Sequence, residues 1–484
     1  MAEIWKARLD EIQQMLARGR TSMARQALED LREEGIVPAD EMWRVHELYG
    51  AVFHDLADAE GAAAAYNNAA QADKYLRSQR EHFSNYLFAL HYLPGIPADD
   101  LFAQHQVYQG LYRDTEPLPP REGITHARLR IGFLAPDFRD SSSARFYGCL
   151  LTGLDARRFA VYAYALQDSE DDFTRHLQAT GLTYRCLAGQ SLRQQAETIR
   201  WDEIDVLMDL GGHSAGGMGL MVLAQRPAPV QICGIGWFDT TGLPAVDAFL
   251  TDAEMDPVGT DYRFTEQLLR LPSGFCFTPT PAMRRLTRQV RQRDGIVFGC
   301  YQNVMKINRQ VMDAWRHILD NLPDSRLIVQ DTTRLPERRA VLCKRLENAG
   351  LPMERVEVRL GSDRYLEDYQ QLDIMLDTFP YPGGAATATA LYMSVPVIAL
   401  RGDHHSARLS ASILAAAGHA EWIADDADEY IKLALQLAVD REALETQQLG
   451  LRAELERSPL LDVQAYCAAF SEAILARGGN FLES

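Results

Sequence analysis

The chain has 484 residues, too many for one ordinary domain, and this length suggests about three units that each bury a core. Its apolar content of 47% and charged content of 24% are globular values, which exclude a fibrous or wholly disordered protein. A net charge of -18 argues against non-specific binding to nucleic acid or anionic membrane, because both need a basic surface.

The seven cysteines are scattered singly, without the close pairs of a disulfide framework or a zinc site, so we expect reduced thiols. The first residues show neither a basic n-region nor an apolar h-region. No stretch approaches the roughly 18 consecutive apolar residues of a membrane span. These features predict a cytoplasmic protein without membrane insertion.

From the start to about residue 115, apolar residues recur at three- and four-residue steps, which predicts an all-helical domain over residues 1–115. Residues 48–56 and 65–70 look like a tetratricopeptide (TPR) helix pair, in which small residues let two helices pack closely. An ordinary helical hairpin is the alternative. One repeat is too few for a long solenoid, which needs about three.

A Pro-rich linker at residues 114–123 ends the helical pattern, and strands then alternate with helices. Apolar runs predict buried parallel strands at residues 128–135, 159–165, 206–210, 230–235 and 248–250. After a basic connector at 284–293, further strands are predicted at residues 296–300, 326–329, 355–359, 373–376 and 395–400.

Two such arrays predict two doubly wound α/β domains, at residues 126–283 and 294–460, with a C-terminal helix at 461–484. Ligands of these sheets bind outside the carboxyl ends of the strands. We therefore expect the active site in the cleft between the two domains.

The most informative segment follows the strand at 373–376 and reads Pro380-Tyr381-Pro382-Gly383-Gly384-Ala385-Ala386-Thr387. Proline and glycine predict a turn, and Thr387 is expected to cap the helix that follows. Such a turn directs backbone N–H groups and the positive end of a helix dipole at an anion, most simply a diphosphate. In the alternative interpretation, the glycines only shape a tight turn.

A second strand end supplies positive charge. The strand at 296–300 leads to Lys306, and Asn308 is the expected N-cap of the next helix. This order places Lys306 at the mouth of the cleft, although a lysine in a loop is often only solvated.

In the first α/β array, His213 follows a strand and a small-residue turn, where it can face the cleft. A satisfied structural histidine is the alternative. The loop from Trp237 to Thr241 also follows a strand and can line the same cleft.

Together these segments resemble the O-linked N-acetylglucosamine transferase family of inverting, metal-independent GT-B enzymes, which includes plant protein O-fucosyltransferases. The resemblance covers nearly the whole chain, and its motifs, in the family's order, are residues 84–94, Asp137-Phe-Arg, residues 226–231, Thr240-Thr-Gly, Lys306, residues 376–381 and His405-Ser-Ala-Arg408. It implies an α/β GT-B fold of two Rossmann-like domains, preceded by an all-α TPR-like domain.

The resemblance also implies roles for single residues. Lys306 would contact the donor diphosphate with Asn303 beside it, and Tyr365 would lie against the nucleobase. The rest of the predicted donor-binding set is Gly383, Gly384, Ala385, Ala386, Thr387, Thr389 and Arg408.

The chain departs from the family's pattern at four places. Ser141 and its neighbours replace a histidine that relatives carry after Asp-Phe-Arg, and Gly384-Ala385-Ala386 replaces a threonine-rich loop. Trp-Phe-Asp-Thr at 237–240 stands for Tyr-Pro-Gly-Thr, and Thr389 replaces an acidic residue that can bind ribose hydroxyls. Losing that charged hydrogen bond costs about 1.5–3 kcal/mol, enough to change donor preference if nothing replaces it.

The resemblance predicts an inverting protein O-glycosyltransferase that moves a sugar, from UDP-GlcNAc by family default, to serine or threonine. Lys306 and helix N–H groups would stabilise the leaving diphosphate, so we expect no metal and no cofactor besides the nucleotide sugar. The expected partners are that nucleotide sugar and a protein or peptide acceptor. Asp137, His213 and Asp239 are the candidates for the residue that removes the hydroxyl proton.

Two alternatives remain. The altered loop favours a GDP- or CMP-linked sugar moved to one dedicated acceptor such as flagellin or an adhesin, since a short helical lead offers little concave surface. The missing histidine and altered loop also suit a non-catalytic scaffold of the same fold.

Overall fold

The computed structural model describes residues 4–121, 126–289 and 295–482. Among these residues, no helix is both long enough and apolar enough to cross a membrane. The predicted domain boundary at residue 294 and residues 290–293 of the basic connector lie outside the described residues.

The chain begins with five consecutive helices joined by short turns. Their bounds are α1 (Ile4–Ala17), α2 (Thr21–Glu34), α3 (Met42–Asp55), α4 (Ala59–Ala72) and α5 (Leu76–Leu90). Helices α3 and α4 approach closely at Gly50, where an added Cβ would overlap the ring of Tyr66. This is the close packing of small residues that the TPR-like pattern predicts. A sixth helix, α6 (Ala98–Gln109), follows.

The first α/β array forms a sheet of seven strands, all paired in parallel. The strands are β1 (Leu129–Ala135), β2 (Phe159–Ala165), β3 (Thr183–Cys186), β4 (Val206–Asp209), β5 (Val230–Cys233), β6 (Ala248–Asp252) and β7 (Gln267–Leu271). Their spatial order is β3-β2-β1-β4-β5-β6-β7. The helices between them are α7 (Ala144–Gly153), α8 (Asp172–Ala179), α9 (Leu192–Trp201) and α10 (Met218–Leu223).

The second array forms a parallel sheet of six strands. The strands are β8 (Val297–Tyr301), β9 (Arg326–Gln330), β10 (Val356–Arg359), β11 (Ile374–Leu376), β12 (Val397–Leu400) and β13 (Ile423–Ala424). Their order is β10-β9-β8-β11-β12-β13. The remaining helices are α11 (Pro281–Arg285), α12 (Arg309–Asn321), α13 (Pro336–Asn348), α14 (Tyr365–Asp368), α15 (Ala385–Tyr392), α16 (Leu409–Ala417), α17 (Ala427–Val439), α18 (Arg441–Leu455) and α19 (Val463–Leu482).

Strand order reverses once in each sheet, between β1 and β4 and between β8 and β11. In open α/β sheets, ligands bind at the carboxyl ends of the strands that flank such a reversal. Each sheet therefore has one favoured site, and the predicted residues around His213 and around Lys306 follow strands at these two points.

The ten predicted strands are confirmed, each to within two residues at either end. The sequence prediction missed β3, β7 and β13. All three lie at the edges of their sheets, and β3 and β7 are only partly buried. An edge strand needs no continuous apolar run, so β3 and β7 leave only a weak sequence signal. Strand β13 has only two residues, too few to form a pattern.

The chain forms two compact units. Unit 1 contains Met1–Ile96, Ala282–Gly402 and Ala420–Arg452, and unit 2 contains Pro97–Pro281, Asp403–His419 and Ala453–Ser484. Unit 1 thus combines α1–α5 with the six-stranded sheet, whereas unit 2 combines α6 with the seven-stranded sheet. The division into segments 1–115, 126–283, 294–460 and 461–484 stays a prediction.

Candidate functional site

The turn after β11 is organised around the fully buried carboxylate of Asp377. Its Oδ1 accepts hydrogen bonds from Gln302 Nε2 at 2.6 Å and from the Thr378 backbone N–H at 2.9 Å. Its Oδ2 accepts one from Thr387 Oγ1 at 3.3 Å. A single carboxylate thereby ties the end of β8, the turn and helix α15 together.

Glycines 383 and 384 begin helix α15 for two different reasons. A Cβ on Gly383 would lie 2.5 Å from Gln302 Nε2 and 3.0 Å from Asp377 Oδ1, so nothing larger fits. Gly384 is the N-cap with φ 55°, and a Cβ there would meet no atom within 4 Å. A side chain at Gly384 would therefore point into open space, at the positive end of the α15 helix dipole.

The prediction that Thr387 caps this helix is wrong. Gly384 holds the N-cap position, and Thr387 is the third helical residue, fully buried, with its hydroxyl donating to Asp377. The positive φ that the turn requires is available to glycine, and this shifts the helix start towards the N-terminus. Ala385 and Ala386 follow Gly384 as the first helical residues and are partly buried.

Lys306 ends a short 3₁₀ turn, Val304–Lys306, that follows β8. Its Nζ donates to the Pro382 carbonyl oxygen at 2.6 Å, lies 3.3 Å from Gln302 Oε1, and lies 4.4 Å from the centre of the Tyr381 ring. Burial lowers the pKa of Lys306 to about 8, although the negative charge of Asp377 opposes this shift. The structure thus brings Lys306 and the loop after β11 together, as the sequence analysis predicted.

Two asparagines flank Lys306. Asn308 is the N-cap of α12, as predicted, with Oδ1 accepting from the Val311 N–H at 3.1 Å. The Oδ1 of Asn303 accepts from the Met305 N–H at 3.1 Å and from Arg338. Because Arg338 also pairs with Asp331 at 3.0 Å, Asn303 has a fixed orientation beside the lysine.

The other predicted donor residues are spread more widely. Tyr365 begins α14 with 39% of its surface exposed, and Thr389 is buried within α15. Arg408 belongs to unit 2, where its Nε donates to the Glu254 carbonyl oxygen at 2.6 Å, whereas Lys306, Tyr365 and Thr389 belong to unit 1.

His213 lies in the interior of unit 2. Its Nε2 donates to the Thr241 carbonyl oxygen at 2.9 Å, and the rings of Tyr108, Trp237 and His105 lie 4.6, 5.0 and 5.2 Å from its own. Burial lowers the pKa of His213 to about 3, so the imidazole is neutral at physiological pH.

Asp239 lines a small cavity of unit 2. His404, His405 and Arg408 line the same cavity, and His405 Nδ1 lies 2.6 Å from Asp256 Oδ2. Burial raises the pKa of Asp239 to about 6, although the two histidines oppose the shift. The rest of the loop from Trp237 to Thr241 is largely buried, with Trp237, Thr240 and Thr241 inside the unit.

Asp137 follows β1 and forms an ion pair with Arg139, whose Nη2 donates to its Oδ2 at 3.0 Å. Its carboxylate also accepts from the Arg139 backbone N–H at 3.2 Å. The three candidate bases therefore differ in their surroundings: one is ion-paired, one is enclosed by rings, and one lines a cavity.

Sequence reasoning assigned no individual role to three residues of the unit 1 site: Asp377 and Tyr381, which lie within the motif at 376–381, and Gln302. A lone carboxylate directly after a buried apolar strand was a usable signal for Asp377. Gln302 and Tyr381 act through contacts between distant segments, which no local pattern reveals. Within either unit, no three described His, Cys, Asp or Glu side chains bring ligand atoms within 4.8 Å of one another; the expectation of no metal stays a prediction.

Comparison with known sequences identifies relatives of the whole α/β part. Residues 112–290 and 283–470 match the pattern of glycosyl transferase family 41. The probable UDP-N-acetylglucosamine–peptide N-acetylglucosaminyltransferase SPINDLY of Petunia hybrida is 33% identical over 398 residues, 78% of this chain and 42% of that protein. The protein of the same name from Hordeum vulgare is 33% identical over 405 residues, 80% and 42% of the two chains. The chain spans less than half the length of these curated relatives.

Among solved structures, a mutant O-GlcNAc transferase of Thermobaculum terrenum is similar over nearly the whole chain. The TM-score is 0.90 with 27% sequence identity, and the match covers 99% of this chain and 92% of that one. The predicted GT-B fold, with two Rossmann-like domains after a helical region, is confirmed by this similarity. The family pattern, the curated relatives and this structure together confirm the resemblance to the O-linked N-acetylglucosamine transferase family.

Proposed function

Because the chain belongs to glycosyl transferase family 41, we propose that it transfers a sugar from a nucleotide donor to a serine or threonine hydroxyl of a protein or peptide. UDP-GlcNAc is the donor we propose. The names of the curated relatives, which describe transfer of N-acetylglucosamine from UDP to peptides, support both the donor and the class of acceptor.

The observation that carries this proposal is the contact between Lys306 and the turn before α15. The ammonium group has three N–H donors, and the contacts to Pro382 and Gln302 use two of them. The third donor of Lys306 lies beside the positive end of the α15 helix dipole and can bind an anion. A positive side chain beside a helix N-terminus suits the diphosphate of a nucleotide sugar.

In the proposed reaction, the acceptor oxygen forms a bond to the anomeric carbon while the bond from that carbon to the diphosphate breaks. One in-line displacement inverts the configuration at this carbon. Negative charge grows on the leaving diphosphate, where Lys306 and the positive end of the α15 helix dipole stabilise it. These groups supply the charge stabilisation that a metal ion provides in other enzymes, which supports a metal-independent reaction.

The acceptor hydroxyl must lose its proton, and Asp137, His213 and Asp239 stay the candidates for the base; of these, Asp239 has the most suitable pKa. Its pKa of about 6 lies near the operating pH, where a general base works best. Among the other candidates, His213 is enclosed by three rings and Asp137 is paired with Arg139. The proton moves from the hydroxyl to the base as the new C–O bond forms.

A second donor class has one observation in its favour. Thr389 lies in α15 where relatives carry an acidic residue that can bind ribose hydroxyls, and Ala385 and Ala386 replace hydroxyl-bearing residues. A GDP- or CMP-linked sugar and one dedicated acceptor, such as flagellin or an adhesin, form this second candidate.

Two measurements test the proposal. Thermal shifts with UDP, GDP, TDP and CMP rank the nucleotides, and a clear preference for any other than UDP contradicts UDP-GlcNAc as donor. Intact-mass analysis of co-expressed candidate acceptors then detects the transferred sugar. An added mass that disappears in Lys306→Ala supports the enzyme, whereas no added mass and no nucleotide binding indicate a scaffold.

A further inference from the structure

We propose that helix α5 of the helical lead is part of the donor site, and that Tyr92, just after this helix, is a positioning residue. In this proposal the Tyr92 ring holds the Tyr381 ring against the ammonium group of Lys306. The contacts lie entirely within unit 1. The identity of the anion at Lys306 rests on the proposed function. The stack formed by the Tyr92 ring, the Tyr381 ring and the Lys306 ammonium group is observed in the structure itself.

The first contact of the stack joins Lys306 to Tyr381. The Nζ atom lies 4.4 Å from the centre of the Tyr381 ring, within the range in which the negative face of an aromatic ring attracts a cation. The same Nζ donates at 2.6 Å to the carbonyl oxygen of the next residue, Pro382. The position of the ammonium group therefore depends on where Tyr381 and its backbone lie.

The second contact joins Tyr381 to the end of helix α5. The Tyr92 ring lies 5.1 Å from the Tyr381 ring at an interplanar angle of 78°, which is a favourable edge-to-face arrangement. Phe88, one turn earlier, meets the same ring at 6.3 Å and 87°, and His91 lies at 6.3 Å. Phe88, His91 and Tyr92, spaced i, i+3 and i+4 at the end of α5, thus surround one side chain of the donor turn.

The backbone of Tyr381 is held separately. Its carbonyl oxygen accepts from Thr378 Oγ1 at 2.8 Å, and the Thr378 N–H donates to Asp377. The turn therefore fixes the main chain, and the helical lead fixes the ring. Removing the Tyr92 ring leaves the backbone hydrogen bonds in place but opens space beside Tyr381. The Tyr381 ring can then move, and water can approach Lys306.

A dry surrounding is what lowers the pKa of Lys306 to about 8. The titratable or charged groups near the stack are Asp377 and Cys300, which act on Lys306, and His91 and Arg338, which face Tyr381 and Tyr92. None of them changes in a Tyr92 variant. Because a lysine is charged below its pKa, affinity for a diphosphate is full below about pH 8 and falls as the pH rises through that value.

The stack is tested in the ligand-free protein by measuring the titration of Lys306 itself. The chain has only five lysines, Lys6, Lys74, Lys306, Lys344 and Lys432, so ¹³C-labelled lysine gives five Cε signals, and Lys306→Arg assigns the relevant one. Three variants are compared: Tyr92→Leu, Tyr92→Phe, and Tyr49→Leu as a matched control. Tyr49 is a buried tyrosine of α3 that stacks on Phe53 at 5.9 Å.

We expect Tyr92→Leu to move the Lys306 midpoint from about 8 towards the usual 10.5, because water reaches the ammonium group. Tyr92→Phe keeps the ring and should leave the midpoint unchanged. Tyr49→Leu should lower the melting temperature without moving the midpoint. The proposal fails if Tyr92→Leu leaves the Lys306 midpoint in place, or if Tyr49→Leu moves it equally.

Calorimetric titration with UDP separates this proposal from the proposed function. We expect Tyr92→Leu to weaken UDP binding roughly three- to ten-fold, the range of a partly desolvated cation–π contact, while Tyr49→Leu binds normally. If the wild type binds no nucleoside diphosphate, the proposed donor site is wrong, and the lysine titration still decides the stack. Unchanged UDP affinity in Tyr92→Leu overturns the positioning role.

Discussion

Two turns occupy the same topological position in the two sheets, yet they have opposite electrostatic character. Each follows a central strand at the point where the strand order reverses: the turn after β4 contains Asp209 and His213, and the turn after β11 contains Asp377 and leads to α15. Both aspartates are fully buried, and glycines follow both. Similar sequence patterns therefore produce similar backbone topology.

The difference lies in what surrounds each carboxylate. Asp377 receives hydrogen bonds from three other groups and acts electrostatically on Lys306. Asp209 Oδ2 accepts from the Gly212 N–H at 2.6 Å, but Oδ1 has no hydrogen-bond partner among the described residues. Burial raises the pKa of Asp209 to about 7. One turn is organised around charge, and the other is dry and nearly neutral, so an anion is expected at the first.

The largest effect is expected from removing the charge of the β11 turn. Lys306→Ala should lower the rate of sugar transfer by about 10²–10³-fold, because one preorganised donor to the leaving group is lost. Lys344→Ala removes an equal charge from the exposed face of α13 and should leave the rate unchanged. Initial rates with a modified acceptor measure both variants. Full activity of Lys306→Ala would contradict the assignment of the two turns.

The neutral character of the β4 turn predicts a pH dependence of stability. The pKa of Asp209 is raised from 3.8 to about 7, so its stabilising contribution is full below about pH 4 and is lost as the pH rises through about 7. Between pH 5 and pH 8, the free energy of unfolding of the wild type should therefore fall by about 2–3 kcal/mol more than that of Asp209→Asn.

Urea unfolding at the two pH values measures this difference. Asp172→Asn, at a side chain that is 99% exposed, is the control and should retain the wild-type dependence. Parallel pH profiles for the wild type and Asp209→Asn would mean that the β4 carboxylate is charged in the folded protein.

A third pair of variants asks which turn binds the nucleotide. Gly383→Ala places a Cβ 2.5 Å from Gln302 Nε2, so the bond network of the β11 turn must shift, and UDP affinity should fall about ten-fold. Gly212→Ala in the β4 turn, at φ 52°, would overlap Trp237 and should lower the melting temperature with UDP affinity retained. Calorimetry on folded protein measures both. Loss of UDP binding in Gly212→Ala alone would reverse the assignment.

Much of this comparison could be predicted from sequence, because strand ends, glycine turns and the Asn308 cap are local features. Lys306 and the loop after β11 were predicted together and lie together. The sequence left open whether His213 faces the cleft or is a satisfied structural histidine, because its enclosure depends on Tyr108 of α6 and on Trp237, which are distant from it along the chain. For the same reason the role of α5 at Tyr381 was not predicted. The Thr387 cap failed because the position of a helix start depends on the φ angle at Gly384.

The smallest effect is expected at the rim of the β11 site. Tyr365 is 39% exposed at the start of α14, and stacking of its ring on a nucleobase would add part of the roughly 1–3 kcal/mol seen for aromatic–base contacts. Tyr365→Ala should therefore weaken UDP binding a few-fold, and Tyr365→Phe, which keeps the ring, should bind as the wild type does. Tyr262→Ala removes an exposed tyrosine from unit 2 and should have no effect. If Tyr365→Phe loses as much affinity as Tyr365→Ala, the hydroxyl rather than the ring makes the contact, and the nucleobase lies elsewhere along the edge of the second sheet.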